Sequence, residues 1–144
     1  MELRERERTL QGRLLLSGEA EGPVLKLAAP ISFWGGVDPD TGKISDPRHP
    51  NHGMCIEGSV LVIPVTVGSS SSSAVMLELL RNGKTPAALV LGNTDAILLL
   101  GVIVARELGY HTVPVIQLSN TQLSVMPDDV EVRITPDGRV VWAA

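Results

Sequence analysis

The chain has 144 residues, 44% of them hydrophobic and only 3% aromatic, which suits one domain whose core is built from Val, Leu, Ile and Ala. A formal net charge of −4 with no basic patch argues against nucleic-acid binding. The single cysteine, Cys55, excludes an internal disulfide and fits a reducing compartment; no apolar run reaches the ~20 residues of a membrane span, the charged N-terminus is unlike a signal peptide, and the expected location is cytoplasmic.

Residues 1–8 alternate in charge sign and read as a solvated N-terminal arm, leaving 9–144 as a single domain. Residues 9–16 suggest a strand, 17–22 a turn and 23–28 a second strand, so a hairpin or sandwich edge is expected here. Residues 29–55 then carry Pro30, Gly35, Gly36, Pro39, Gly42, Pro47, Pro50 and Gly53, too many breakers for regular structure. So long a loop in a compact domain points to a role. It also holds Phe33, Trp34, His49 and His52, and is a second candidate functional segment.

The apolar, β-branched run 60–67 reads as a buried strand. Gly68 and the serines 69–73 follow, and then an amphipathic helix at about 72–82, with Val75, Met76, Leu79 and Leu80 on one stripe and Gly83 as its stop. Residues 86–91 are a short apolar strand. Asn93, Thr94 and Asp95 offer cap chemistry for a second helix over 96–108, ended by Gly109 and apolar enough to be buried on more than one side. Strands are expected over 112–118, 131–135 and 139–142, the last two joined by a turn at Pro136, Asp137 and Gly138. The fold class is mixed α/β: β-rich ends around a central βαβαβ section with parallel connections.

The turn at 68–73 organises this scheme. A strand, a glycine and a serine-capped helix start leave backbone N–H groups unpaired at the positive end of a helix dipole, a ready site for an anion. Composition alone would suggest a flexible polyserine linker, but linkers rarely sit between a buried strand and an amphipathic helix. Parallel sheets place ligands at the C-terminal ends of their strands, where this turn lies. Two other readings fail. Gly83-Lys84-Thr85 lacks the earlier glycine of a phosphate loop, because Glu78 stands there. No Gly-x-Ser-x-Gly elbow is present. Asp46, His49, His52 and Cys55 match no strong zinc template, and no metal ligand is assigned; a loop locked by side-chain hydrogen bonds, or one meeting a partner or substrate, is the better reading. A serine without a base beside it is not a useful nucleophile, so chemistry at 69–73 needs its pKa lowered by the turn's N–H groups or by a partner's Lys or Arg.

Two stretches resemble one family. Residues 30–42, Pro-Ile-Ser-Phe-Trp-Gly-Gly-Val-Asp-Pro-Asp-Thr-Gly, running on to Asp46 and His49-Pro50, resemble the signature of the small, swivel-domain subunit of aconitase X enzymes. Gly68-Ser69-Ser70, with Pro86-Ala87-Ala88 and Gly101, resembles the family's active-site segment. The resemblance implies an aconitase-type swivelling β/β/α domain, a barrel-like sandwich, that pairs with a large subunit. It implies a hydro-lyase acting on a small hydroxy-acid, with Ser69 as the proton-abstracting base and Gly68, Ser70 and Ser71 facing the substrate. Trp34, Gly35, Gly36, Asp38 and His49 become candidates for the site or the subunit interface. An iron–sulfur cluster is expected in the large subunit, none being bound by this chain alone, which agrees with the single cysteine. Bacterial members are typically cis-3-hydroxy-L-proline dehydratases and archaeal ones phosphomevalonate dehydratases. Archaeal turns usually read Gly-Ser-Thr followed by Gly-Ser-Tyr, whereas here Ser70 to Ser73 precede Ala74 with no tyrosine, which favours hydroxyproline. The alternatives are phosphomevalonate, or a non-catalytic anion-binding or regulatory swivel domain.

Overall fold

The computed structural model describes residues 6–68 and 70–143. The chain enters a sheet at β1 (Glu7–Gln11), so Glu7 and Arg8 are strand residues that pair with Ala143 and Trp142. Gly12 interrupts the first expected strand, and β2 (Arg13–Leu16) continues beyond it. The strand β3 (Ala20–Lys26) follows, then a one-turn helix α1 (Phe33–Gly36) and a small hairpin, β4 (Val37–Asp38) with β5 (Lys43–Ile44). Next come β6 (Val60–Ile63), α2 (Ser72–Asn82), β7 (Ala88–Leu91), α3 (Ala96–Glu107), β8 (Val115–Gln117), α4 (Asn120–Val125), β9 (Glu131–Ile134) and β10 (Arg139–Ala143).

Eight strands form one mixed sheet in the order β1-β10-β9-β3-β6-β7-β8-β2. The central strands β3, β6, β7 and β8 are parallel. Because β1 and β2 lie at opposite ends of this order yet are separated only by Gly12, the sheet must roll until its ends meet. At that corner Gly12 N donates to Gly138 O (2.9 Å), which is how the rolled sheet is pinned.

The parallel strands are apolar on both faces because both are covered. Leu61, Ile63, Leu89 and Leu91 pack with Val75, Met76, Leu79 and Leu80 of α2 and with Leu98, Val102 and Ala105 of α3. Val60, Val62, Val90 and Ile116 face the other way, against Leu123, Met126, Val132, Ile134 and Val140. The two helices pack tightly where Gly101 meets Ser73: a Cβ on Gly101 would lie 2.6 Å from Ser73 O. Gly83 closes α2 at φ 69°, donating to Leu79 O and Leu80 O.

Three expectations require correction, and one element was not expected. The strands β2 and β3 do not form a hairpin: β2 is an edge strand on β8, and β3 lies between β9 and β6. The reason is burial, since Val24 and Leu25 point to opposite faces and both need neighbours, which an edge hairpin cannot provide. The helix α3 is buried on one side only, with Leu100 51% and Ile103 42% exposed. Among the described residues Ser71, at the N-cap position of α2, makes no side-chain cap hydrogen bond; its φ/ψ (−79°, −8°) are helical rather than the extended values of a capping residue. Finally, α4 was not anticipated, although Ser119 and Gln122 form a complete capping box that the spacing Ser-x-x-Gln announces.

Candidate active site

The exits of three parallel strands are tied together at their C-terminal edge. After β3 the chain reaches Ile31, and after β6 it reaches Thr66; the two form an isolated parallel bridge, with Ile31 N donating to Val65 O (3.2 Å) and Val67 N to Ile31 O (2.9 Å). From β7, Asn93 reaches across: Thr66 N donates to Asn93 Oδ1 (3.1 Å), and Asn93 Nδ2 donates to Thr66 Oγ1 (3.3 Å). The two segments singled out in the sequence therefore leave one bridge side by side, Ser32 and α1 from Ile31, Gly68 and the serines from Thr66. Asp95 then caps α3, its carboxylate accepting from Ile97 N and Leu98 N.

Of the predicted residues in the turn, Gly68 and Ser70 are exposed and Ser71 is half-buried. Ser69 lies outside the described residues. Ser73 Oγ donates to Ser70 O (3.2 Å), which ties the turn to the first helical residues. Ser72 is 2% exposed, and its hydroxyl has no hydrogen-bond partner among the described residues.

In the loop, Phe33 is an anchor in the core, while Trp34 is 60% exposed. Trp34, Gly35 and Gly36 line an open cleft of about 590 Å³ together with Ser32, Asp46, Pro47 and Arg48, within the size range of small-molecule sites. Gly35 has φ 76°, and nothing lies within 4 Å of where its Cβ would be, so backbone conformation alone accounts for glycine there. The cleft's walls are wired to each other: Ser45 N donates to Gly36 O (2.9 Å) and Ser45 Oγ to Gly35 O (3.3 Å).

His49 is buried and does not line the cleft. Its Nδ1 accepts from Asn51 N (3.0 Å), so Nε2 carries the proton and donates to Ala29 O (3.1 Å). It fastens 46–51 to the segment that leads into Ile31. Asp38 also lies outside the cleft; it shapes the β4–β5 turn, accepting from Asp40 N (2.9 Å) through Oδ1. The structure thus unites Trp34, Gly35 and Gly36 in one cleft that begins one residue past Ile31, and gives His49 and Asp38 supporting parts. Thr66, Asn93, Asp46 and Arg48 were not singled out as site residues; Asn93 was legible only as cap chemistry, and its cross-strand contact has no local sequence signal.

Among the described residues no group of three or more His, Cys, Asp or Glu side chains could hold a metal ion, and Cys55 is exposed, its Sγ 3.8 Å from Thr41 O. These donors do not fit an iron–sulfur cluster, which needs several thiolates. Among the described residues no helix is long and apolar enough to cross a membrane.

Comparison with known proteins identifies the family. The chain is 42% identical over 111 residues to a cis-3-hydroxy-L-proline dehydratase of Hypocrea jecorina, covering 77% of this chain and 19% of that protein. It thus spans about a fifth of the length of that relative. It is 37% identical over 126 residues to a phosphomevalonate dehydratase small subunit of Methanothermobacter thermautotrophicus, covering 87% of this chain and 92% of that one. The crystal structure of Thermococcus kodakaraensis aconitase X in its holo-form superposes with a TM-score of 0.82 at 34% identity, over 92% of this chain and 96% of that chain. The family model described as aconitase X swivel domain matches residues 9–142, and the chain belongs to that family.

Proposed function

We propose that this chain is the small subunit of an aconitase X-type dehydratase that acts with a large subunit on cis-3-hydroxy-L-proline. The observation that carries the reading is the Ile31–Thr66 bridge, from which the chains leading into the tryptophan–glycine loop and into Gly68 both leave at the C-terminal edge of the parallel strands. The turn's serine run without a tyrosine, and the 42% identity to a hydroxyproline dehydratase, support this substrate. Phosphomevalonate is the second reading, supported by the near-complete coverage of small subunits that are separate chains.

Dehydration of a 3-hydroxy acid requires loss of the proton beside the carboxylate and departure of the hydroxyl as water, so a base and an acid are both needed. Ser69 is the proposed base, and the first N–H groups of α2 would stabilise negative charge developing beside it. The acid that assists the leaving hydroxyl is assigned to the large subunit, as is the iron–sulfur cluster that the family resemblance implies. The isolated chain should therefore be inactive.

The test is reconstitution with the large subunit. Ser69→Ala should lower kcat by at least about 10²-fold, the ordinary size of a general-base contribution, while the complex still assembles. Full activity in that variant, or dehydration by the wild-type chain alone, would overturn the assignment.

A further inference from the structure

We infer that Asp46 and Arg48, beside Trp34, form a recognition site for the zwitterionic head of a cyclic amino acid, Arg48 taking the carboxylate and Asp46 the ring ammonium. The inference rests on the proposed dehydratase reading and deepens it, because it says why an amino acid would be chosen.

Both side chains line the same cleft as the exposed Trp34. They carry opposite charges yet are only loosely paired: Arg48 Nε is 3.8 Å from Asp46 Oδ1, beyond hydrogen-bond distance, and the Arg48 side chain is 93% exposed. The N–H groups of the guanidinium have no hydrogen-bond partner among the described residues. The backbone beneath them, in contrast, is fixed. Arg48 N donates to Asp46 Oδ1 (2.9 Å), His49 N to Asp46 O (3.1 Å), and the His49 ring holds this segment to Ala29. Two opposite charges thus spring from one fixed backbone segment, the Arg48 guanidinium free to turn toward a carboxylate that sits beside Asp46. A guanidinium pairs a carboxylate through two parallel N–H bonds. A saturated ring bearing a cationic nitrogen has a matching surface in the Trp34 indole face. The cleft begins at Ser32, one residue past Ile31, whose bridge partner Thr66 leads into Gly68 and the serine run.

The same pair discriminates. A substrate with a phosphate and no ammonium group would leave Asp46 facing like charge, which disfavours it. Asp46 and Arg48 are specificity-determining residues under this inference, and Ser69 keeps the chemistry.

The experiment uses the complex with the large subunit and two readouts. With cis-3-hydroxy-L-proline as substrate, Arg48→Gln and Asp46→Asn should each raise KM about tenfold or more, the size expected for one hydrogen bond to a charged group, with kcat changed less than about threefold and Arg48→Lys intermediate. Unchanged KM in both variants overturns the inference. Calorimetric titration with L-proline, which carries the same head group and no hydroxyl to lose, tests it independently of turnover. Binding by the wild-type complex that weakens in both variants supports the inference. No binding to the wild-type complex, or equal binding by all three, overturns it. If L-proline binds through these residues while the complex dehydrates a different hydroxy-acid, the proposed substrate falls and the recognition site stands. Unfolding midpoints equal to wild type establish that the variants are folded.

Discussion

Asn93 shows how one side chain can set a site it does not touch. Its amide joins the exit of β7 to Thr66, which is buried and also bridged to Ile31, so three strand ends share one clamp. Asn93→Ala removes the acceptor for Thr66 N and leaves that part-buried donor unpaired, a cost of about 1–3 kcal/mol. Denaturant unfolding of the isolated chain should register that loss. In the reconstituted complex kcat should fall further than in a variant of equal stability remote from the site, because the backbone entering Gly68 is then held by the Ile31 bridge alone. Asn93→Asp keeps an acceptor and should recover part of both; kcat that merely tracks stability across the series would sink the positioning role. The sequence displayed Asn93 only as a residue before a helix, because a side chain reaching from one strand exit to another leaves no trace in local spacing. His49 was more legible: a histidine between prolines in a loop of breakers has few roles, and fastening the loop by hydrogen bonds was among those expected.

At the level of elements, what could be read was what local periodicity decides. The stripe Val75, Met76, Leu79 and Leu80 faces the core as its spacing requires, and Gly83 stops α2 in the left-handed region. The outer face of α3 could not be read, because an apolar residue looks the same in sequence whether a sheet or solvent faces it. The hairpin of β9 and β10 was legible from Pro136, Asp137 and Gly138, and it carries a pH-dependent element. A hydrogen bond from the Thr135 hydroxyl, aided by Arg139, holds the Asp137 carboxyl below the usual aspartate range. The folded state therefore binds fewer protons than the unfolded chain between the lowered value and the ordinary one. Stability from Asp137 is fully present above the ordinary aspartate range and is lost as pH falls through the lowered folded value. Thermal unfolding of wild type and Asp137→Asn should differ at neutral pH, the variant being the less stable, and the gap should close on acidification through that window. Because the group is fully exposed, the gap should be small and should shrink with added salt. A gap that persists unchanged into strong acid would assign the effect to something other than the carboxylate charge.

Across the whole molecule, the sheet order could not have been reached from neighbouring strands, because β1 and β2, one residue apart, join opposite ends of the sheet. Gly12 makes this possible. A Cβ there would lie 3.0 Å from Gly138 O, 3.1 Å from Ile116 Cδ1 and 3.3 Å from Gln117 O. Ile116 can shift its side chain, but the two carbonyls are backbone: Gly138 O accepts from Gly12 N, and Gln117 sits opposite Arg13 in the β2–β8 ladder. Replacing Gly12 by Ala gains chain entropy of about 0.4–1 kcal/mol through the unfolded state, which offsets contacts that are tight but not prohibitive, so Gly12→Ala should lie within about 1 kcal/mol of wild type. Gly12→Val adds two methyl groups against the same carbonyls, and overpacking of that kind costs about 1–3 kcal/mol. At about 2–4 °C per kcal/mol for a chain of this size, the Val variant should melt roughly 3–10 °C lower. The corner joins the half of the sheet built on β10 and β9 to the half built on β7 and β8, so the loss should appear as one earlier transition. Trp142 in β10 and Trp34 in the cleft should report it together by fluorescence. A Val variant as stable as the Ala variant would mean that the corner opens without cost and that the closed roll of the sheet is not what holds the two halves together.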